Sequence, residues 1–146
     1  MFTHHIETGI DIAAPAGRVW RILTDFADFP NWNPFIRRAE GDLRVGGRLK
    51  ILIQPSGTKG MTFRPYIRSV EAEHELRWLG HLGLPKVFDG EHLFRIDQLT
   101  DDSCRLTQSE HFRGLLVPFF RAGLERDTRR GFHEMNAAIK TRAESL

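Results

Sequence analysis

One cysteine, one tyrosine and no long apolar run limit what this chain can be. The lone Cys104 cannot form an internal disulfide, which suits a reducing compartment. The longest apolar stretch, Leu115 to Phe120, falls far short of the ~20 residues a membrane span needs, so no stable membrane insertion is expected. Neither sign of charge dominates: 21 Lys and Arg face 19 Asp and Glu, a formal +2. That balance offers no case for a nucleic-acid partner. The N-terminus lacks the basic-then-apolar pattern of a signal peptide, and the expected location is the cytoplasm. There is no phosphate-cradling glycine loop, no serine elbow and no cysteine–histidine signature. His133-Glu134-Met135-Asn136-Ala137 begins like a zinc-protease helix but carries Ala137 where the second histidine must stand. His4 and His5 are strand neighbours facing opposite sides, a poor chelate that reads as solvated. No metal and no cofactor is expected. Repeats, low-complexity tracts and linkers are also missing, so residues 1–146 read as one domain, a monomer or weak homodimer.

What the chain does carry is one long helical period, from Leu115 to Glu144. Pro118 stands in its first turn, where a missing N–H goes unnoticed, and no breaker follows. At about 100° per residue, Phe120, Leu124, Thr128, Gly131, Met135, Ala138 and Ile139 share one side. Arg126, Arg129, Arg130, His133, Asn136 and Lys140 share the other. The predicted helix has roughly 27 residues and is about 40 Å long, which demands a broad apolar partner surface. Gly131 at the centre of the stripe either packs the backbone tightly or leaves space for a ligand. Asp127 at its edge either pairs with an arginine or stands as an acid at a pocket rim. The arginine side is either a solvated face or a contact for an anionic partner.

The rest of the chain reads mostly as strands. Thr3 to Ile12 alternates, with Ile6, Thr8, Ile10 and Ile12 together. Pro15 or Ala16 opens a short helix through Thr24, and Asp25 to Phe29 suggests a second one ending before Pro30. Trp20, Phe26, Phe29, Trp32 and Phe35 form an aromatic block that either packs one end of the core or lines a cavity mouth. Six stretches follow: Phe35 to Glu40, Arg48 to Gln54, Met61 to Val70, Glu75 to Gly80, Phe88 to Ile96 and Ser103 to Phe112. Pro65 implies a bulge or an edge position in the third of them. Short turns between them give an antiparallel sheet. The expected fold is therefore α+β, a curved sheet wrapped around the terminal helix, with two short helices after the first strand.

Ile10-Asp11-Ile12-Ala13-Ala14-Pro15 followed by Val19-Trp20, Leu23-Thr24-Asp25-Phe26 and Trp32-Asn33-Pro34 carry a resemblance. So do Leu76-Arg77-Trp78, Gly90-Glu91-His92, Phe94, Glu110, Phe112, Gly114 and the final amphipathic helix. Over nearly its whole length the chain resembles the START-like superfamily, also called SRPBCC or Bet v 1-like, and most of all its polyketide cyclase/dehydrase branch. The resemblance implies a helix-grip fold with an elongated internal cavity for a small apolar molecule. It carries over no universal catalytic residue.

Alternation places His92 and Glu110 inward on consecutive strands, with Trp78 on the strand before. Such a pair is open to three uses: a self-satisfied structural contact, a grip on a ligand hydroxyl or carbonyl, or a general base and acid. Tyr66 shares its parity with Arg64 and Arg68, which suggests a solvated face. The expected ligand-binding set is Trp32, Trp78, Phe88, His92, Phe94, Glu110, Phe112, Phe120, Leu124, Asp127 and Gly131. The leading functional expectation is a protein that binds a hydrophobic or aromatic molecule, lipid or polyketide-like, between sheet and helix. The alternatives are a cyclase, aromatase or dehydratase using His92 and Glu110, and an interaction module of the chaperone-activator type.

Overall fold

The structure, a computed structural model, describes residues 2–145. Strand β1 (Thr3–Ile12) leads through Pro15 into helix α1 (Ala16–Thr24). Proline at this cap has no side-chain bond to offer the helix; the Gln98 side chain instead accepts from the Ala16 N–H at 2.7 Å. A 3-10 turn (Phe26–Asp28) and a single-turn helix α2 (Phe29–Trp32) follow. Then come β2 (Ile36–Gly41), β3 (Leu49–Ile53), β4 (Met61–Phe63), β5 (Tyr66–Glu71), β6 (Glu75–His81), β7 (Asp89–Thr100) and β8 (Ser103–Arg113).

Five strands pair antiparallel in the order β1-β8-β7-β6-β5, and β2-β3-β4 form a second group. The two groups are one wall with a bend. Ile51 faces Phe63 across β3 and β4, and Arg48 faces Tyr66 in the same register. Backbone bonds Leu49 N–H to Pro65 C=O (2.8 Å) and Ile67 N–H to Gly47 C=O (2.9 Å) carry the ladder through the break. The expected strand from Met61 to Val70 is thus split at Arg64-Pro65, where proline has no N–H for the ladder. Beyond the split, β5 joins β6 while β4 keeps β3 as its partner.

The last element is helical from Val117 to Glu144, but it is not uniform: α3 (Val117–Gly123) passes through a π-helical stretch (Leu124–Thr128) into α4 (Arg129–Glu144). A π turn holds an extra residue, which rotates everything after it. The inward face of α4 is consequently Gly131, Phe132, Met135, Asn136, Ile139 and Ala143. Two expectations change. Asn136 lies inside rather than on the polar side, and Phe120 is 45% exposed rather than buried. Gly131 serves close packing: the Phe35 ring lies where its side chain would be, and meets Phe132 edge-on at 5.5 Å. Behind this contact, Phe29, Phe94, Leu76, Ile67 and Ile6 complete a dense core. His4, expected in solvent, shares the inner face of β1 and sits 3.1 Å from Glu125 in the π turn. No helix among the described residues is long and apolar enough to cross a membrane.

Candidate functional site

Between the bent wall and the π turn lies a cavity of about 120 Å³. In a measure where one water takes ~10–15 Å³, that is close to the ~150 Å³ void known to hold benzene. It is shorter than the elongated chamber the family resemblance implies, because Phe35, Phe94 and Phe132 fill the interior beyond it. Six residues of the expected set line it: Trp78, Phe88, His92, Glu110 and Phe112 from the sheet side and Leu124 from the helix. Ile51 and Ile53 of β3, Phe63 and Pro65 at the bend, and Gly80, His81 and Leu82 at the end of β6 complete the walls and mouth. The β3 pair was already visible as a strand face. The mouth residues were not, since they meet only because the wall bends at Pro65.

Five expected residues lie elsewhere. Phe94 is one layer deeper, its ring stacked on His92 at 4.5 Å. Phe120 covers the outer side of Phe88 at 5.4 Å. Gly131 stands behind Phe35. Trp32 packs edge-on against Phe29 at 5.3 Å, away from the cavity. Asp127 is a surface acid 3.1 Å from both Arg126 and Arg130. The hydrogen bonds from Arg126 first, then those from Arg130, hold its carboxyl below the usual aspartate range. Packing inside the domain uses Phe94, Gly131 and Trp32, whereas Phe120 stays half-exposed behind Phe88 and Asp127 is taken up by its two arginines. Tyr66 also departs from expectation: it is half-buried beneath the Arg48 guanidinium and beside His81.

The polar end of the cavity is built on the central strands. His92 pairs in register with Trp78 on one side and Glu110 on the other. The imidazole is 1% exposed, and its Nδ1 is 3.0 Å from Glu110 Oε1. The approach is not aligned with the ring N–H direction, so Nδ1 has a charged neighbour without a satisfying hydrogen bond. Among the described residues, it is the one buried side-chain nitrogen or oxygen on the cavity wall left in that state. Glu110 can lean so close because Gly90 faces it. A methyl group at Gly90 would collide with Glu110 Oε2.

The other ring nitrogen is anchored by a chain of buried polar groups, and that chain has one possible direction. Thr8 Oγ donates to the Gln108 carbonyl at 3.0 Å, because a carbonyl can only accept. With its proton so used, Thr8 must accept from Asn136 Nδ2 at 2.8 Å. Asn136 Oδ1 therefore accepts from Gln108 Nε2 at 2.7 Å. That leaves Gln108 Oε1 facing His92 Nε2 at 2.9 Å, so Nε2 must carry a proton. Nδ1 is therefore the ring nitrogen left facing Glu110 and the cavity. Thr8, Gln108 and Asn136 are all at most 5% exposed, which keeps water from competing for these bonds. Reading Asn136 as outward concealed this chain; the clue was polar Thr8 on the inner face of β1.

At the mouth a second pair, His81 Nδ1 and Asp89 Oδ1, lies 2.6 Å apart. Asp89 also accepts the Lys86 N–H, with both oxygens at 3.1 Å. This pair ties down the loop between β6 and β7.

The model of a family described as polyketide cyclase / dehydrase and lipid transport matches residues 3–144. No curated protein matches the chain. Similar solved structures include the Zhui aromatase/cyclase from Streptomyces sp. R1128, with a TM-score of 0.81 and 18% identity, covering 98% of this chain and 94% of that one. A START superfamily protein from Mycobacterium smegmatis has a TM-score of 0.75 and 23% identity over 98% of this chain and 99% of that one. A norcoclaurine synthase point mutant from Thalictrum flavum has a TM-score of 0.72 and 17% identity over 97% and 94%. Identities this low establish the shared fold.

Proposed function

The chain belongs to the polyketide cyclase / dehydrase and lipid transport family, and on that premise we propose that it binds a small aromatic or otherwise apolar molecule carrying one hydroxyl or carbonyl group. The carrying observation is the unfilled Nδ1 of His92 beside Glu110, in a cavity with mostly apolar walls. A ligand group bonded to Nδ1 or to the Glu110 carboxyl relieves a buried polar atom that the protein leaves without an aligned partner. The cavity volume favours one ring at the polar end, with any larger portion projecting through the mouth past Leu82 and Phe88.

Native mass spectrometry of the purified protein, searching for a co-purified small molecule, tests this first. The identified ligand should then raise the thermal midpoint; at a hundredfold excess over Kd the stabilisation is about 2.7 kcal/mol. Gly90→Ala should weaken binding at least tenfold with little change in unfolding, since the atom it displaces is the mobile end of Glu110. An unaltered ligand affinity in Gly90→Ala, or no stabilisation by any apolar ring compound, counts against the reading.

A second reading is favoured by the directed chain from Thr8 to His92. With Nε2 held as a donor, His92 and Glu110 can pass a single proton at Nδ1, which suits a cyclase, aromatase or dehydratase working by general acid–base steps. Proteins named aromatase/cyclase and norcoclaurine synthase use this fold, though fold alone does not fix function. His92→Gln and Glu110→Gln then abolish turnover while ligand affinity survives; under the binding reading they change affinity alone. The interaction-module reading predicts a filled interior and a large apolar patch outside; the cavity counts against the first.

A further inference from the structure

Exposed apolar side chains are unevenly placed. Of the ten large ones exposed among the described residues, six belong to three chain segments near the cavity mouth: Phe2, Leu82, Leu84, Leu115, Phe119 and Phe120. Backbone bonds join these segments. The Gly114 N–H donates to Phe2 C=O at 3.0 Å, and Leu115 and Leu116 donate to Lys86 and Val87 at 3.2 and 3.0 Å. Leu82 lines the cavity, and Phe120 backs the cavity residue Phe88. The rim is thus continuous with the entrance. Its two most exposed members, Leu84 at 74% and Phe119 at 80%, belong to two different segments.

The charges on these segments have one sign. Residues 82–87 and 113–123 include Lys86, Arg113 and Arg121 and no carboxylate. The acids that next follow these segments in sequence have partners of their own, Asp89 in His81 and the Lys86 N–H, Glu125 in Arg129 and His4. We propose that this rim docks on an anionic lipid bilayer. Protruding Leu and Phe among cations is the pattern of an interfacial anchor, in which apolar tips enter the headgroup boundary and cations meet acidic lipids. The apolar groups come from three segments that project rather than form a groove, which suits a fluid surface better than a shaped protein partner. Docked this way, the cavity opens toward the phase where an apolar molecule dissolves, and such a molecule enters without crossing water.

Flotation of the full chain with vesicles tests this without any cavity ligand, and so separately from the ligand-binding reading. The protein should float with vesicles of phosphatidylcholine and phosphatidylglycerol in equal parts, and only weakly with phosphatidylcholine alone. The double variant Leu84→Ser, Phe119→Ser should lose roughly tenfold or more in partitioning, given the apolar area withdrawn. Lys86→Glu should lose at least roughly fivefold on the anionic vesicles only. All three positions are exposed, so unchanged thermal midpoints verify that the variants fold. Failure to float overturns the proposal. So does flotation that the double variant leaves intact, which assigns binding to another basic face. A self-associating protein whose dimer dissociates in the double variant, or one that ignores vesicles and takes up an acidic protein through the rim, overturns it as well.

Discussion

Replacing Asn136 with leucine removes two bonds from a buried chain and leaves the Gln108 side-chain NH₂ and one acceptor site of the Thr8 hydroxyl unpaired. The expected loss is about 1–3 kcal/mol of stability, read from denaturant midpoints. The more telling readout is His92. In the native protein its Nε2 is protonated because Gln108 Oε1 has no other use; in Asn136→Leu the freed amide can turn its NH₂ toward the ring. Nitrogen NMR of the imidazole should show a protonated Nε2 in the parent and a shift of that proton toward Nδ1 in the variant. A parent protein whose neutral His92 is protonated at Nδ1 breaks the assignment. At this scale the sequence revealed the ends of the chain but not its middle. His92 and Glu110 follow from parity and a short turn, whereas Asn136 counts as polar in any tally of faces and is buried only because Gln108 and Thr8 await it. Cys104, read from the sequence only as unable to form an internal disulfide, is buried, and burial pushes its thiol above the ordinary range, with Asp11 adding to the effect.

Two departures from regular geometry, neither visible as a periodicity, define the cavity among the elements. Pro65 divides a strand without interrupting its ladder to β3, and the π turn rotates the helix that faces it. Pro65 was readable as a fault in a strand. The π turn was not, because no residue in Leu124–Thr128 forbids an α-helix. The helix is seated on the wall by Gly131, with the Phe35 ring against its backbone. Gly131→Ala should therefore destabilise by about 1–3 kcal/mol through overpacking, despite alanine's better helix propensity. The double variant Gly131→Ala, Phe35→Leu should recover part of that loss, measured as a coupling energy in a double-mutant cycle. A stabilised Gly131→Ala protein would show that the contact yields more readily than its geometry suggests.

At the scale of the molecule, Glu144 ties the last turn of α4 to the end of β1. Its carboxylate accepts from Lys140 Nζ at 2.5 Å and from the Ala13 N–H at 2.7 Å, while Arg18 reaches the Ala143 carbonyl at 3.0 Å. The Lys140 bond first, then the Ala13 bond, holds the Glu144 carboxyl below its usual range. A carboxyl depressed in the folded state stabilises above the unfolded pKa, and that contribution is lost as pH falls through the folded value. Acidification should therefore loosen the C-terminal turn of α4 from the end of β1, seen as a lower protection factor for the Ala13 amide once the intrinsic pH dependence of exchange is divided out. Glu144→Gln should show low protection of this amide at neutral pH and little further loss of protection with acid. The curved wall, terminal rod and short helices were all legible at this scale, because long alternating and helical stretches leave few ways to cover their apolar faces. The depth of the cavity was not, since it depends on which aromatic rings interlock.

His92 stands on the middle strands, whereas the mouth of the cavity is assembled from the end of β6, the β6–β7 loop and the bend at Pro65. Substitutions or insertions in those peripheral segments would therefore change what can enter while leaving the buried His92–Glu110 pair in place.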